Sequence, residues 1–226
     1  IANKEQRGYI TPQEYNLLAN QAQLLIFEQY FYDIEKAIIT HGNSTEYSDG
    51  IDILTEKISP FEKWKVAMSA VSGNEGTLPT STTVHKLGTV FYAAGAYDVE
   101  VERVEKNELH YMERTALATP TDARPVYVRK SDTVIKLFPA SPTVSYTTGN
   151  VTCNYIAKPS QATWGYVVVN NQAMYDAPTS TDFDLQASEE SELVYKILEL
   201  SGIILNKPGL VQAAQNEETA LIAQKQ

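Results

Sequence analysis

Cysteine, histidine and positive charge are all scarce in this chain. The single cysteine, Cys153, rules out an intrachain disulfide and any cysteine-based metal site, and its place in the alternating run VTCNYIA predicts a buried structural thiol. The three histidines, His41, His85 and His110, fall in a polar loop, a turn and a charged segment. None has another His, Cys or carboxylate at zinc-ligand spacing, so each reads as a surface or structural residue. Lys and Arg number 18 against 28 Asp and Glu, giving a formal net charge of -10 and a pI near 4.8. Phosphate binding needs clustered cations, and no basic patch is visible, so a protein that holds nucleic acid is disfavoured.

Long apolar runs are missing as well. Nothing approaches the roughly eighteen residues of a membrane-spanning helix. The N-terminus shows neither a basic segment nor a signal-type apolar core, and the expectation is a soluble product of cytoplasmic origin. No GxSxG elbow, phosphate loop, GxGxxG or HExxH occurs, which weakens the enzyme families those motifs mark. Carboxylate pairs such as Asp182 with Asp184 and Glu189 with Glu190 remain. The run TSTDFDLQ lacks the glycine and distal glutamate of a calcium loop, so Asp182 and Asp184 read as turn and loop residues.

What the chain does contain is apolar residues enough for a sizeable core: 43% of 226 residues, a length that buries roughly 70% of the unfolded surface. The organising stretch is QRGYITPQEYNLLANQAQLLIFEQYFY, Gln6 to Tyr32. Thr11 suits the N-cap, Pro12 the first helical position, and Glu14 completes a capping box. Leu17, Leu24, Phe31 and Ile38 then recur every seven residues. Leu18, Leu25, Tyr32 and Ile39 recur beside them, with Leu25 and Tyr32 in the outer row. Ile26, Phe27, Tyr30 and Ile34 widen the stripe beyond the arc that one core requires. Two readings follow: a helix enclosed by its own domain, or one shared with a neighbouring subunit.

Thr40 to Gly50 is polar and aperiodic and predicts a surface loop. In IDILTEKISPFEKWKVAMSAVSG, a short helix capped at Ser59 competes with a strand over Trp64 to Val71, and the strand is favoured because SGNEG makes a turn after it. KLGTVFYAAG, YDVEVERVEK, PVYVRK, TVIKLFPA, TVSYTT and NVTCNYIAKP read as strands of an antiparallel sheet or small barrel, with NELHYMERTAL a short helix or loop. Tyr166 to Val169 is strand-like and is followed by a loop. Ser188 is placed as the cap of a second helix through Leu193, Ile197 and Leu205, and a weaker helix closes the chain. The expected fold is α+β, with a long N-terminal helix and a C-terminal helix pair packed together around an antiparallel β module. The expected segments are 1–58 helix and loop, 59–180 β module and 181–226 C-terminal helices.

The stretch NKEQRGYITPQEYNLLANQAQLLIFEQYFYD resembles the opening of a family of tailed-phage virion proteins, the ring or neck proteins of the crAss-like and related short-tailed groups. The resemblance continues through SPFEKW, GTLPTST, RPVYVRK, VTCNYIAKPSQATWGY and STDFDLQASEESELVYKILELSGIIL, and so covers nearly the whole chain. The resemblance implies a structural subunit of the head-to-tail connector or tail barrel, without catalysis, cofactor or metal. It implies a homo-oligomeric ring, a dodecamer matched to a portal, with the portal and other ring or tail proteins as partners. DNA passes through without specific binding, no membrane is involved, and the protein ends in the virion after assembly in the bacterial cytoplasm. The residues expected at the subunit interface are Leu17, Leu18, Leu24, Leu25, Phe31, Tyr32, Leu193 and Ile197.

Two other functions stand beside it. A tail-associated module recognising a host-surface carbohydrate or receptor would use Tyr127, Tyr146, Tyr155, Trp164 and Tyr166. An enzyme without a recognisable motif would need two converging carboxylates, and no spacing in the chain supports it.

Overall fold

In the computed structural model of the chain, the residues described are 10–40, 45–79, 83–95, 97–140, 144–170, 172–205 and 208–225. They form five helices and a large, curled, mainly antiparallel sheet, an α+β architecture. The chain divides into two compact units: a helical unit, Ile1–Pro60 with Pro159–Gln226, and a β unit, Phe61–Lys158. Residues 159–180, grouped with the β module on sequence grounds, belong to the helical unit.

The helical unit holds α1 (Pro12–Thr40), α2 (Thr45–Ile58), α4 (Glu190–Ile204) and α5 (Pro208–Lys225), and α1 packs on α2 and on α4, which packs on α5. The capping box at the start of α1 is made: the Thr11 amide donates to Glu14 Oε2 at 2.8 Å, and the Glu14 amide donates to Thr11 Oγ1 at 3.2 Å. The backbone amide of Thr11, then its hydroxyl, hold the Glu14 carboxyl below its usual range.

Thr45–Ile58 is helix rather than the predicted loop, and residues 41–44, with His41, lie outside the described residues. The signal was present but diluted. Ile51, Leu54 and Ile58 share one inward face, while Gly50 and the polar residues around it suggest a turn.

Ser188 does not cap α4. Its hydroxyl turns to the Gln186 and Glu189 side chains, and a short 3-10 turn, Ala187–Glu189, leads into the helix. Gly202 lets α4 and α5 close up, since a Cβ there would sit 2.9 Å from Val211 Cγ2. Lys196 joins the same pair of helices through Glu218 at 2.8 Å. Burial alone would lower the Lys196 pKa, but its bonds and charges from Glu218 and Glu199 more than offset that and raise it.

The β unit contains β1 (Glu62–Ala67), β2 (Ala70–Ser72), β3 (Glu75–Thr77), β4 (Val84–Ala93), β5 (Asp98–Arg103), α3 (Lys106–Arg114), β6 (Val126–Arg129), β7 (Val134–Phe138) and β8 (Val151–Ala157). The sheet order is β1-β8-β4-β5-β6-β7-β3-β2. Every pairing is antiparallel except β5 with β6, which α3 connects as a crossover.

The outermost strands, β1 and β2, are neighbours in sequence, separated only by Met68 and Ser69. Seven inter-strand spacings would put the edges of a flat sheet about 33 Å apart. Three residue steps reach no further than about 11 Å, so the sheet must curl back on itself. Met68 donates to the Val151 carbonyl of β8 and Ser69 to the Thr77 carbonyl of β3, bridging the two ends. The curl has a local cause in three register shifts along β8: one at His85 in β4, and two, at Trp64–Lys65 in β1 and Gly88–Thr89 in β4, that both face Asn154.

The interior of the curl is the core. Val151, Cys153, Tyr155 and Ala157 alternate inward from β8 to meet Val90, Val101, Ile135 and Leu137. Cys153 is fully buried, and loss of hydration pushes its thiol up to about 11. Residues 144–147, predicted as strand, pair with no neighbour as a strand. Val144 and Tyr146 are nevertheless buried in the core, so the apolar alternation recorded burial and not a ladder.

Candidate functional site

Two faces of α1 have different fates. Leu18, Ala19, Ala22, Gln23, Ile26, Phe27 and Tyr30 are buried. These positions advance by threes and fours, as a 3.6-residue turn demands, and they include two alanines and a glutamine that an apolar-residue pattern undercounts. A strict seven-residue repeat drifts about 20° per heptad around a straight helix, so neither heptad row coincides with the buried face.

Gln23 is buried because it belongs to a ladder of amides. Asn16, Asn20 and Gln23 line one side of α1 and grip the extended segment 160–164 through its backbone. Asn16 accepts from the Trp164 amide at 2.8 Å and donates to the Trp164 carbonyl at 3.3 Å. Asn20 makes the same pair with Ala162, both at 2.8 Å. Gln23 donates to the Ser160 carbonyl at 2.8 Å and accepts from the Asp184 amide at 3.2 Å. The match follows from geometry: four helical residues rise about 6 Å and two extended residues about 6.6 Å, so side chains every helical turn meet every second residue of the strand-like segment. Sequence reasoning missed this feature, whose only signal is polar amides at i, i+4 and i+7 on an apolar helix.

The gripped segment delivers the chain to a hairpin, β9 (Tyr166–Val169) and β10 (Gln172–Tyr175), paired from Tyr166 with Tyr175 to Val169 with Gln172. Its base is fixed. Gly165 donates to Ser180 Oγ at 3.0 Å and accepts from the Asp176 amide at 2.9 Å. A Cβ on Gly165 would fall 2.2 Å from Thr179 Oγ1 and 2.8 Å from the Asp176 carbonyl oxygen, so only glycine fits. Trp164 stacks on Tyr166 at 5.8 Å and meets Tyr15 edge-on at 6.5 Å. Beyond this base the hairpin is bare: Val167, Val168, Val169, Met174 and Tyr175 are 46 to 62% exposed.

The residues named from sequence separate clearly. Leu17 is 68% exposed, Tyr32 61%, and Leu24 and Leu25 each 38%, on the side of α1 away from its buried face. Leu18 and Leu193 are buried within the helical unit and are unavailable to another molecule without unpacking it. Phe31 and Ile197 are half-buried, Phe31 against Phe27 with ring centroids 5.0 Å apart. Of the two rows, each supplies both exposed and covered positions, so an inner row and an outer row do not exist.

Under α1 lies a charged group that sequence reasoning did not connect. Glu189 is buried and paired with Lys57 at 2.8 Å, whose ammonium also lies 5.8 Å from the Tyr30 ring. The Tyr30 hydroxyl is buried without a hydrogen bond, and lost hydration, with the charges of Glu189 and Glu192, raises its pKa strongly. This group stabilises the helix junction, joining the end of α2 and the start of α4 beneath α1.

Small-molecule sites usually exceed about 300 Å³. A polar cleft of about 270 Å³ in the β unit lies where β4 leaves β5, lined by Gly88, Glu100, Arg103 and Arg129. A recess of about 110 Å³ in the helical unit lies beside Tyr15 and Trp164. Tyr127, Tyr146 and Tyr155, offered for sugar stacking, are buried in the β core, and Trp164 and Tyr166 belong to the helical unit. Asp184 is a structural acceptor, taking the Ser160 amide and hydroxyl at 2.6 Å each. His85 lies in β4 and His110 in α3, and among the described residues no three His, Cys, Asp or Glu side chains gather as metal ligands. No described helix is long and apolar enough to cross a membrane.

The chemistry available here is adhesion: uncharged apolar side chains held in water on rigid supports. No protein-family model matches the sequence, and no curated protein matches it either.

Proposed function

We propose that this protein is a structural subunit that closes into a ring in the neck of a tailed phage, as a portal-proximal connector or part of the tail barrel lining the DNA conduit. Assembly, and not a reaction, is its function. The observation that carries the reading is the outward face of α1, where Leu17, Leu24, Leu25 and Tyr32 stay in water although the helix already has a complete buried face. A helix with apolar residues on two sides suits a subunit flanked by copies of itself, and head-to-tail contacts that close make rings. The likeness of nearly the whole sequence to phage ring and neck proteins supports the same reading. A net charge of -10 without a basic cluster suits a channel wall along which DNA slides.

The test is electron microscopy and mass measurement of the full purified chain. Closed rings of uniform copy number are expected. A chain that stays monomeric at high concentration, and is absent from purified virions, overturns the proposal.

A further inference from the structure

The hairpin β9–β10 has no function in the fold that accounts for its surface. Its eight paired residues, Tyr166–Val169 and Gln172–Tyr175, carry no charge. Side chains alternate between the faces of a strand, so Val167 and Val169 look one way and Val168 the other; both faces are therefore apolar, and both are exposed. An isolated two-stranded hairpin is marginal in water, and an uncovered apolar edge invites uncontrolled pairing. The usual protections, a lysine, a proline or a bulge, are absent from these strands. The base, by contrast, is held tightly by Gly165, Ser180 and the Trp164–Tyr166 stack. A firmly mounted, uncharged, two-faced apolar blade is built to be covered.

Resting on the ring reading, we propose that the β9–β10 hairpin of one copy docks on the outward face of α1 of the next, making the two halves of one head-to-tail interface. Three observations favour a second copy as occupant. A closing ring needs two different patches on each subunit, and both lie in the helical unit. Their apolar area is of a useful size. At roughly 150–250 Å² for a tyrosine and about 100 Å² for an aliphatic side chain, the nine part-exposed residues leave on the order of 600 Å² in water, the larger part of the apolar share of a standard interface of roughly 1,600 Å². Finally, two copies that each carry a net charge of -10 repel one another, and an uncharged blade is where they approach at least cost.

Two exposed double variants test the pairing: Val168→Lys with Met174→Glu on the hairpin, and Leu17→Lys with Tyr32→Glu on α1. Circular dichroism and Trp164 emission report that each still folds, and a milder pair, Val168→Ser with Met174→Ser, serves if the first does not. Each variant alone is expected to lose the ring and run as a monomer, the milder pair shifting assembly to higher concentration. Mixed, the two variants retain one intact hairpin and one intact α1 face between them, so a one-to-one dimer that grows no further is expected.

Hairpin variants that still form rings of wild-type size overturn the inference and leave the ring reading standing. A mixture that stays monomeric overturns the pairing of these two patches. Dimers of the α1 variant by itself mean that hairpins pair with each other, which also overturns it. A monomeric wild-type chain overturns the ring reading on which the inference rests.

Discussion

The two units solve the same burial problem in opposite ways. The β unit turns its apolar surface inward: β8 alternates four residues into a core of aliphatic and aromatic side chains, and the curl of the sheet encloses them. The helical unit leaves much of its apolar surface outside. Of the seventeen large apolar side chains exposed among the described residues, thirteen belong to it. Its interior is also the more polar, since among the described residues the three buried polar or charged side chains, Gln23, Glu189 and Ser201, are there. The difference teaches that apolar content alone does not say where a core is. One unit spends it on its own enclosure, while the other is held partly by paired polar groups and leaves apolar faces in water.

Each unit contains one tryptophan, Trp64 in the β unit and Trp164 in the helical unit, so single-tryptophan variants follow the two separately during urea denaturation. The largest effect is expected from Lys57→Met. It leaves Glu189 buried without its ammonium partner, and a broken buried pair costs about 3–5 kcal/mol, read as a loss of stability at Trp164. Leu137→Ala opens a cavity in the enclosed core and is expected to cost about 2–5 kcal/mol, read at Trp64. If the two losses appear at the wrong tryptophans, the contrast between a polar-pinned unit and an apolar-filled one fails.

Gly202→Ala overpacks the contact with Val211 and should destabilise by about 1–3 kcal/mol in thermal melts. Leu17→Lys should change the stability of the unassembled chain by less than about 0.5 kcal/mol, because the side chain it replaces is already in water. A large loss there would mean that the outward face of α1 is needed for folding.

The smallest effect is that of acid. Glu14 in the helical unit and Glu75 in the β unit are both held below their ordinary 4.5, by Thr11 and by a hydrogen bond from Lys130 respectively. A lowered folded-state pKa means stability that is fully present above about 4.5 and is lost as pH falls through the lowered value. Both groups are at the surface, so their share of the decline below that pH is slight, and melts of the double variant Glu14→Gln with Glu75→Gln are expected to fall slightly less with acid than those of wild type.

Much of this fold was legible because local chemistry and global packing agree. Thr11, Pro12 and Glu14 mark a helix start that the hydrogen bonds bear out, and alternation in VTCNYIA gives both strand and burial. Legibility failed where a side chain's meaning depended on a distant partner. Asn16 and Asn20 look like ordinary polar helix residues until Trp164 and Ala162 arrive beside them, almost 150 positions later. Residues 45–50 look like loop because the face of α2 needs α1 to make it useful. The exposed apolar positions were half legible. The excess apolar width of α1 is there in the sequence, but which positions are outward depends on Ala19, Ala22 and Gln23 facing in, and of the hairpin only Tyr166–Val169 reads as strand, while Gln172–Tyr175 carries no alternation to mark its partner.

The two-residue join of β1 to β2 bears on how the β unit folds. Strands adjacent in sequence normally pair first, and the sheet grows outward from them. Here β1 pairs instead with β8, Lys63 opposite Tyr155 across more than ninety residues, while β2 and β3 form a local hairpin that joins β7. Such long separations place the unit among slowly folding topologies, in milliseconds to seconds. Met68 and Ser69 then tie the two ends of the sheet together through a join of two residues, so a substitution that breaks their bonds to Val151 and Thr77 loosens both edges at once.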